Sequence, residues 1–156
     1  MGADRIEREI EIEAPIDVVW AVVTEPEHMA VWFSDSAELD VRPGGEGRLI
    51  WQRKATNHEA TVNVRVERVE PPHFFSFRWD YPDGSEPDST NAPLVEFSLE
   101  KRGESTRLRL VESGLAGIER SDDAKETYFA EHNRGWDEIV ARLREYAVEQ
   151  RSAVAG

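Results

Sequence analysis

The sequence contains no cysteine. Disulfide frameworks, thiolate nucleophiles, cysteine-based zinc sites and iron–sulfur clusters are thereby excluded. Long apolar runs are also missing: the stretch from Val18 to Val23 is the longest, far short of the roughly 20 residues that span a bilayer. Positive charge is scarce, with 19 Lys and Arg against 32 Asp and Glu and a formal net charge of −13. That balance repels phosphate backbones and anionic lipid surfaces, so neither nucleic acid nor membrane is expected as a partner. The first eight residues show no apolar signal region, and the expected location is the reducing cytoplasm.

Motifs for bond-making chemistry are equally thin. No serine lies in a Gly-x-Ser-x-Gly setting, which leaves hydrolase chemistry without a nucleophile. Gly44-Gly45-Glu46-Gly47 has no following helix and no Lys-Ser/Thr pair, and reads as a turn rather than a phosphate cradle. The histidines at 28, 58, 73 and 132 lack metal-type spacing. No metal, no cofactor and no catalytic residue is assigned on this basis.

What is present is periodicity. The 156 residues are enough for one domain that buries about 70% of its unfolded surface, and a single domain over 1–156 is expected, ordered from about 5 to 148. Ile6, Ile10 and Ile12 share one parity while Glu7, Glu9 and Glu11 take the other, the mark of a half-buried strand. Ala14-Pro15 ends it. Ile16 to Val23 predicts a short buried helix. Thr24-Glu25-Pro26-Glu27 predicts a capping box with Thr24 as N-cap of a second short helix.

From Ser34 to Ser113 the pattern becomes strands with one apolar face each. Leu49 and Trp51, then Val62, Val64 and Val66, then Phe75, Phe77 and Trp79 alternate with polar residues. Val95, Phe97 and Leu99, and finally Leu108 and Leu110, do likewise. Such strands predict an antiparallel sheet covered on one side. Tyr81 to Pro93 reads as the most mobile loop. A long helix is expected from about residues 121–124, roughly 35 Å long, with Phe129, His132, Trp136, Ile139, Val140, Leu143 and Ala147 as its apolar stripe. Its end, from Arg151, is expected to fray.

A curved sheet beneath a straight helix leaves unfilled apolar volume between them, and apolar hollows take small ligands. The element order resembles the helix-grip, or START-like, α+β fold: a curved seven-stranded antiparallel sheet, two short helices and a long C-terminal helix across it. Ala14-Pro15 with Val18-Val19-Trp20, Trp32-Phe33, Arg42-Pro43-Gly44-Gly45 and Trp51 resemble the heat-shock-protein-ninety ATPase activator homologue branch. So do Val69-Glu70-Pro71-Pro72, Phe77-Arg78-Trp79, Glu112-Ser113-Gly114 and His132-x-x-Gly135-Trp136. The resemblance runs over about residues 5–148. It implies a hydrophobic-ligand binding protein, with a protein-interaction or co-chaperone-like module as one alternative and a polyketide cyclase-like enzyme as another.

The expected cavity lining is Trp51, Phe75, Phe77, Trp79, Phe97, Phe129, His132, Asn133 and Trp136. For any one of the rings, plain core packing is the favoured account, while some of them are expected to line the hollow. His132, Asn133 and Tyr128 would orient a ligand. A histidine on an apolar stripe is more often structural, bonded to a carbonyl or carboxylate. Gly135 reads as a point of close approach for the helix, and the many acidic residues as solvated face.

Overall fold

An all-charged outer parity on the first strand decides which face of the sheet meets water. The computed structural model describes residues 4–53 and 58–155. Strand β1 (Ile6–Ile12) buries Ile6 and Ile12 and exposes Glu7, Glu9 and Glu11. It is followed by α1 (Ile16–Thr24), α2 (Pro26–Trp32), β2 (Ser36–Leu39), β3 (Glu46–Arg53), β4 (His58–Glu70), β5 (Phe74–Trp79), β6 (Leu94–Arg102), β7 (Ser105–Ser113) and α3 (Asp122–Ala155). The strands form a seven-stranded sheet in the order β1-β7-β6-β5-β4-β3-β2, antiparallel throughout. This is the α+β helix-grip arrangement. On the wet face Arg109 pairs with Glu7 at 2.6 Å and Arg107 with Glu9; exposed pairs of this kind contribute at most about 1 kcal/mol each.

The dry face carries the core. Phe75, Phe77, Val95, Phe97, Leu108 and Leu110 lie under α1, α2 and α3, which contribute Val19, Val23, Trp32, Trp136 and Leu143. The Trp32 indole N–H donates to the Val22 carbonyl at 2.7 Å and locks the two short helices together. Close approach of β2 to β3 requires glycine at 47, where a Cβ would stand 2.1 Å from the Glu38 carbonyl oxygen.

Two expectations are corrected. Thr24 does not cap α2: it is the buried last residue of α1, and its hydroxyl donates back to the Trp20 carbonyl at 2.8 Å. Pro26 at the first helical position drives the preceding residue extended, so the boundary falls on Glu25, which makes no side-chain cap bond. The long helix exceeds the roughly 35 Å expected and continues through Arg151 to Ala155. It runs for 34 residues, about 51 Å at 1.5 Å per residue. Residues 145–155 hold neither glycine nor proline, and Arg144 and Arg151 donate to the carbonyls of Glu11 and Glu13 at the end of β1.

The loop expected to be most mobile is tied to the sheet. Asn63 donates to the Tyr81 carbonyl at 2.9 Å, Arg65 pairs with Glu86, and Arg78 donates to the Ala92 carbonyl at 2.8 Å. This anchoring fixes Asp80, the first residue after β5, at the edge of the space beneath α3.

Candidate functional site

Between α3 and the β3–β4–β5 end of the sheet lies a partly open cavity of about 620 Å³. Its sheet wall is Trp51, Thr61, Val62 and Trp79, and its helix wall is Tyr128, His132, Gly135 and Trp136, with Asp80, Arg120 and Glu131 also on its border. The hollow has a local cause. At Gly135, a helical position facing the sheet, a Cβ would meet nothing within 4 Å. The helix crosses the strands there without a side chain to fill the gap, so Gly135 is not the point of close approach that its type suggested.

Behind the wall sits a carboxylate. Thr106, Leu108, Leu110 and Glu112 occupy the inward parity of β7, and Glu112 is 0% exposed. A buried carboxylate costs several kcal/mol unless its oxygens are satisfied. Here the Trp79 indole N–H donates to Oε2 at 2.7 Å and the Trp136 indole N–H to Oε1 at 2.9 Å. His132 Nδ1 lies 2.8 Å and 2.9 Å from the two oxygens. The structural and the ligand-facing readings of His132 therefore coincide: one ring nitrogen is bound to a carboxylate, and the ring still borders the cavity with its side chain 17% exposed.

The aromatic shell holds the imidazole in place. Tyr128 lies against it at a 32° tilt with ring centroids 4.0 Å apart, and Trp79 meets it edge-on at 5.6 Å. The Arg120 guanidinium lies 4.2 Å over the Tyr128 ring. The Tyr128 hydroxyl donates to Asp80 Oδ2 at 2.8 Å. Asp80 adopts φ 62°, left-handed backbone that aspartate tolerates better than most residues, and its N–H donates to the Asn63 carbonyl at 2.9 Å.

Burial, followed by the adjacent Asp80 charge, pushes the Tyr128 hydroxyl well above the ordinary tyrosine range. Burial also raises Tyr81 and Tyr146, which completes the set of three tyrosines. The native chain should therefore show no phenolate absorbance at a midpoint of about 10, where unfolded tyrosine ionises. Because the folded state keeps these protons longer, their contribution to stability is whole below that pH and is lost as pH rises through the folded values. An ultraviolet alkaline titration, native against denatured, checks this; a native tyrosine titrating at the ordinary value contradicts it.

Of the residues expected to line a cavity, Trp51, Trp79, His132 and Trp136 border this one. Phe75, Phe77 and Phe97 do not: they are fully buried in the core. They sit further along the sheet, where Trp20 packs edge-on against Phe75 at 6.4 Å and Trp32 against Phe97 at 6.3 Å. Phe129 is partly buried against the core and also lies off the cavity. Asn133 is exposed on the β1 side of α3, where its backbone and side-chain oxygens accept from Arg8 at 2.8 Å and 2.9 Å. Arg8, the one charged residue on the inward parity of β1, thus meets α3 and not the core. The side chain of His58 lies outside the described residues. Glu112, Asp80 and Arg120 were missed as site residues; for Glu112 the signal was its place in the Leu108-x-Leu110-x-Glu112 alternation.

The family described as "Activator of Hsp90 ATPase homolog 1-like protein" matches residues 13–148. The chain belongs to this family. A Streptomyces halstedii protein named "Putative polyketide cyclase" is 30% identical over 96 residues, covering 51% of this chain and 88% of the relative. Among solved structures, DynU16 of the dynemicin biosynthetic locus is similar with TM-score 0.70 and 26% identity over 93% of this chain. This chain spans 47% of DynU16. A Nitrosomonas europaea protein has TM-score 0.76 at 17% identity, with 97% of this chain and 99% of the other covered, which shows the shared fold. The family match over residues 13–148, together with the helix-grip fold, places this chain in the START-like superfamily. Among the described residues, no helix is long and apolar enough to cross a membrane.

Proposed function

We propose that this protein binds a small, flat, largely apolar molecule between α3 and the sheet. The observation that carries the reading is the state of the three cavity indoles. Trp51 donates its N–H to the Phe33 carbonyl at 2.9 Å, and Trp79 and Trp136 donate theirs to Glu112. All three polar handles are spent on the protein, so these walls offer a guest ring surface alone. A cavity of about 620 Å³ lies within the range of about 300–1,000 Å³ usual for small-molecule sites. His132, Asp80 and Arg120 add a polar border that can orient a guest. The name of the polyketide cyclase-like relative favours a cyclised polyketide as the class of guest.

Three of the five tryptophans border the cavity, so occupancy should change tryptophan emission saturably at one equivalent. Titration with planar aromatic compounds, paired with native mass spectrometry of the purified chain, tests this. If no planar compound gives a saturable change or a one-to-one mass adduct, the reading falls.

A second reading, a cyclase-like enzyme with His132 as acid–base, is favoured by one observation. Nε2 of His132 has no protein partner among the described residues, while Nδ1 is held by a carboxylate, the arrangement that orients a catalytic imidazole. Turnover of a poly-β-ketone analogue that disappears in His132→Gln would support it over simple binding.

A further inference from the structure

The three donors around Glu112 determine which atom of His132 remains for a guest. An indole N–H can only donate, and an ionised carboxylate can only accept. Trp79 and Trp136 each hold one oxygen of Glu112, and Nδ1 bridges both. In that arrangement a proton resides on Nδ1, and in the neutral imidazole Nε2 then keeps its lone pair. Nε2 has no protein partner among the described residues, and the ring that carries it borders the cavity. The tilted face contact with Tyr128 at 4.0 Å and the edge contact with Trp79 at 5.6 Å hold the ring in one orientation.

The remaining polar groups narrow the guest further. Asp80 already accepts the Tyr128 hydroxyl, while Glu131 and Asp80 place two carboxylates on the border against one guanidinium, Arg120. With Glu112 behind the wall, an anionic guest faces net repulsion. A hydrogen-bond acceptor on the guest would also oppose the Nε2 lone pair. A neutral donor would complete the site.

We infer, on the reading that the cavity takes a small molecule, that His132 Nε2 is a dedicated hydrogen-bond acceptor that selects guests bearing a neutral hydroxyl on a flat unsaturated ring, a phenol or an enol. The carboxylate of Glu112 is then a positioning group: it fixes the tautomer and does not touch the guest.

The test compares β-naphthol, naphthalene and β-naphthyl methyl ether, three guests of similar shape of which only the first can donate. Binding to the full chain is measured by isothermal titration calorimetry or equilibrium dialysis. β-Naphthol should bind about tenfold more tightly than its methyl ether, the scale of one net hydrogen bond, and in His132→Phe that ratio should fall to about one. Nitrogen NMR of the wild-type histidines at neutral to mildly alkaline pH supplies a readout that needs no variant. It should show His132 protonated on Nδ1 and bare on Nε2, with the Nε2 resonance moving when β-naphthol is added.

The outcomes separate the two claims. If none of the three compounds binds, the small-molecule reading itself fails. Equal binding of all three to the wild type leaves that reading standing and overturns the donor selection. A preference that survives in His132→Phe overturns it as well, as does a His132 ring that carries its proton on Nε2 or on both nitrogens.

Discussion

Glu112→Leu should lower the thermal midpoint by roughly 10 °C or more. The substitution removes the acceptor for two indole N–H groups and for His132 Nδ1 at once. Breaking a buried charged network by deleting one partner costs about 3–5 kcal/mol, because the surviving polar groups remain dry and unpaired. For a chain of this size each kcal/mol moves the midpoint by about 2–4 °C. Glu112→Gln should fall between the leucine variant and the wild type. Its amide retains one acceptor oxygen but turns an NH2 toward an indole that can only donate. On the outer face Glu9→Gln disturbs only an exposed pair with Arg107 and should change stability by less than about 1 kcal/mol. Calorimetric melts of the three variants give the order directly. A leucine variant as stable as the wild type would show that the carboxylate is not the anchor of this cluster.

That anchor was legible in the sequence only in part, and the reason is physical. The β1 parity, the alternation in β4 to β7 and the stripe on α3 are local signals, repeated every two residues or every three to four, and they carry the sheet, its covered side and the element order. Which part of the covered side is solid is not local. Phe75 and Phe77 share an inward parity with Trp79, yet the first two lie in the core and the third borders the cavity. The difference is what stands above each: Trp20 of α1 against Phe75, Phe33 against Phe77, and His132 and Trp136 of α3 against Trp79. Strand parity does not encode that. Glu112 was hidden by composition: one of 32 acidic residues, it differs from the others by donors 20, 24 and 33 positions away. Its inward register beside Leu110 was the available clue, a mark that on β1 only Arg8 shares, and Arg8 is drawn out to α3. The length of α3 was underestimated because its anchors, the Glu11 and Glu13 carbonyls, belong to the opposite end of the chain.

Gly135 allows the cavity to be separated from the stability of the fold. A Cβ at this position meets nothing within 4 Å, and the residue lines the hollow. Alanine in the interior of a helix is favoured over glycine by about 1 kcal/mol, so Gly135→Ala should raise the melting midpoint by about 2–4 °C. A larger side chain at the same position projects into the space a guest would use. Gly135→Phe should leave the melt at or above that of the wild type and weaken β-naphthol binding by roughly a hundredfold or more, because the lost contacts amount to most of an apolar guest's burial. Helical content by circular dichroism should be unchanged in both variants. This pattern, stability kept and binding lost, is the opposite of that expected for Glu112→Leu, where the fold itself weakens. Should Gly135→Phe bind the naphthol as tightly as the wild type while melting normally, the guest does not sit under α3, and the indole-walled hollow is a packing defect of the helix crossing.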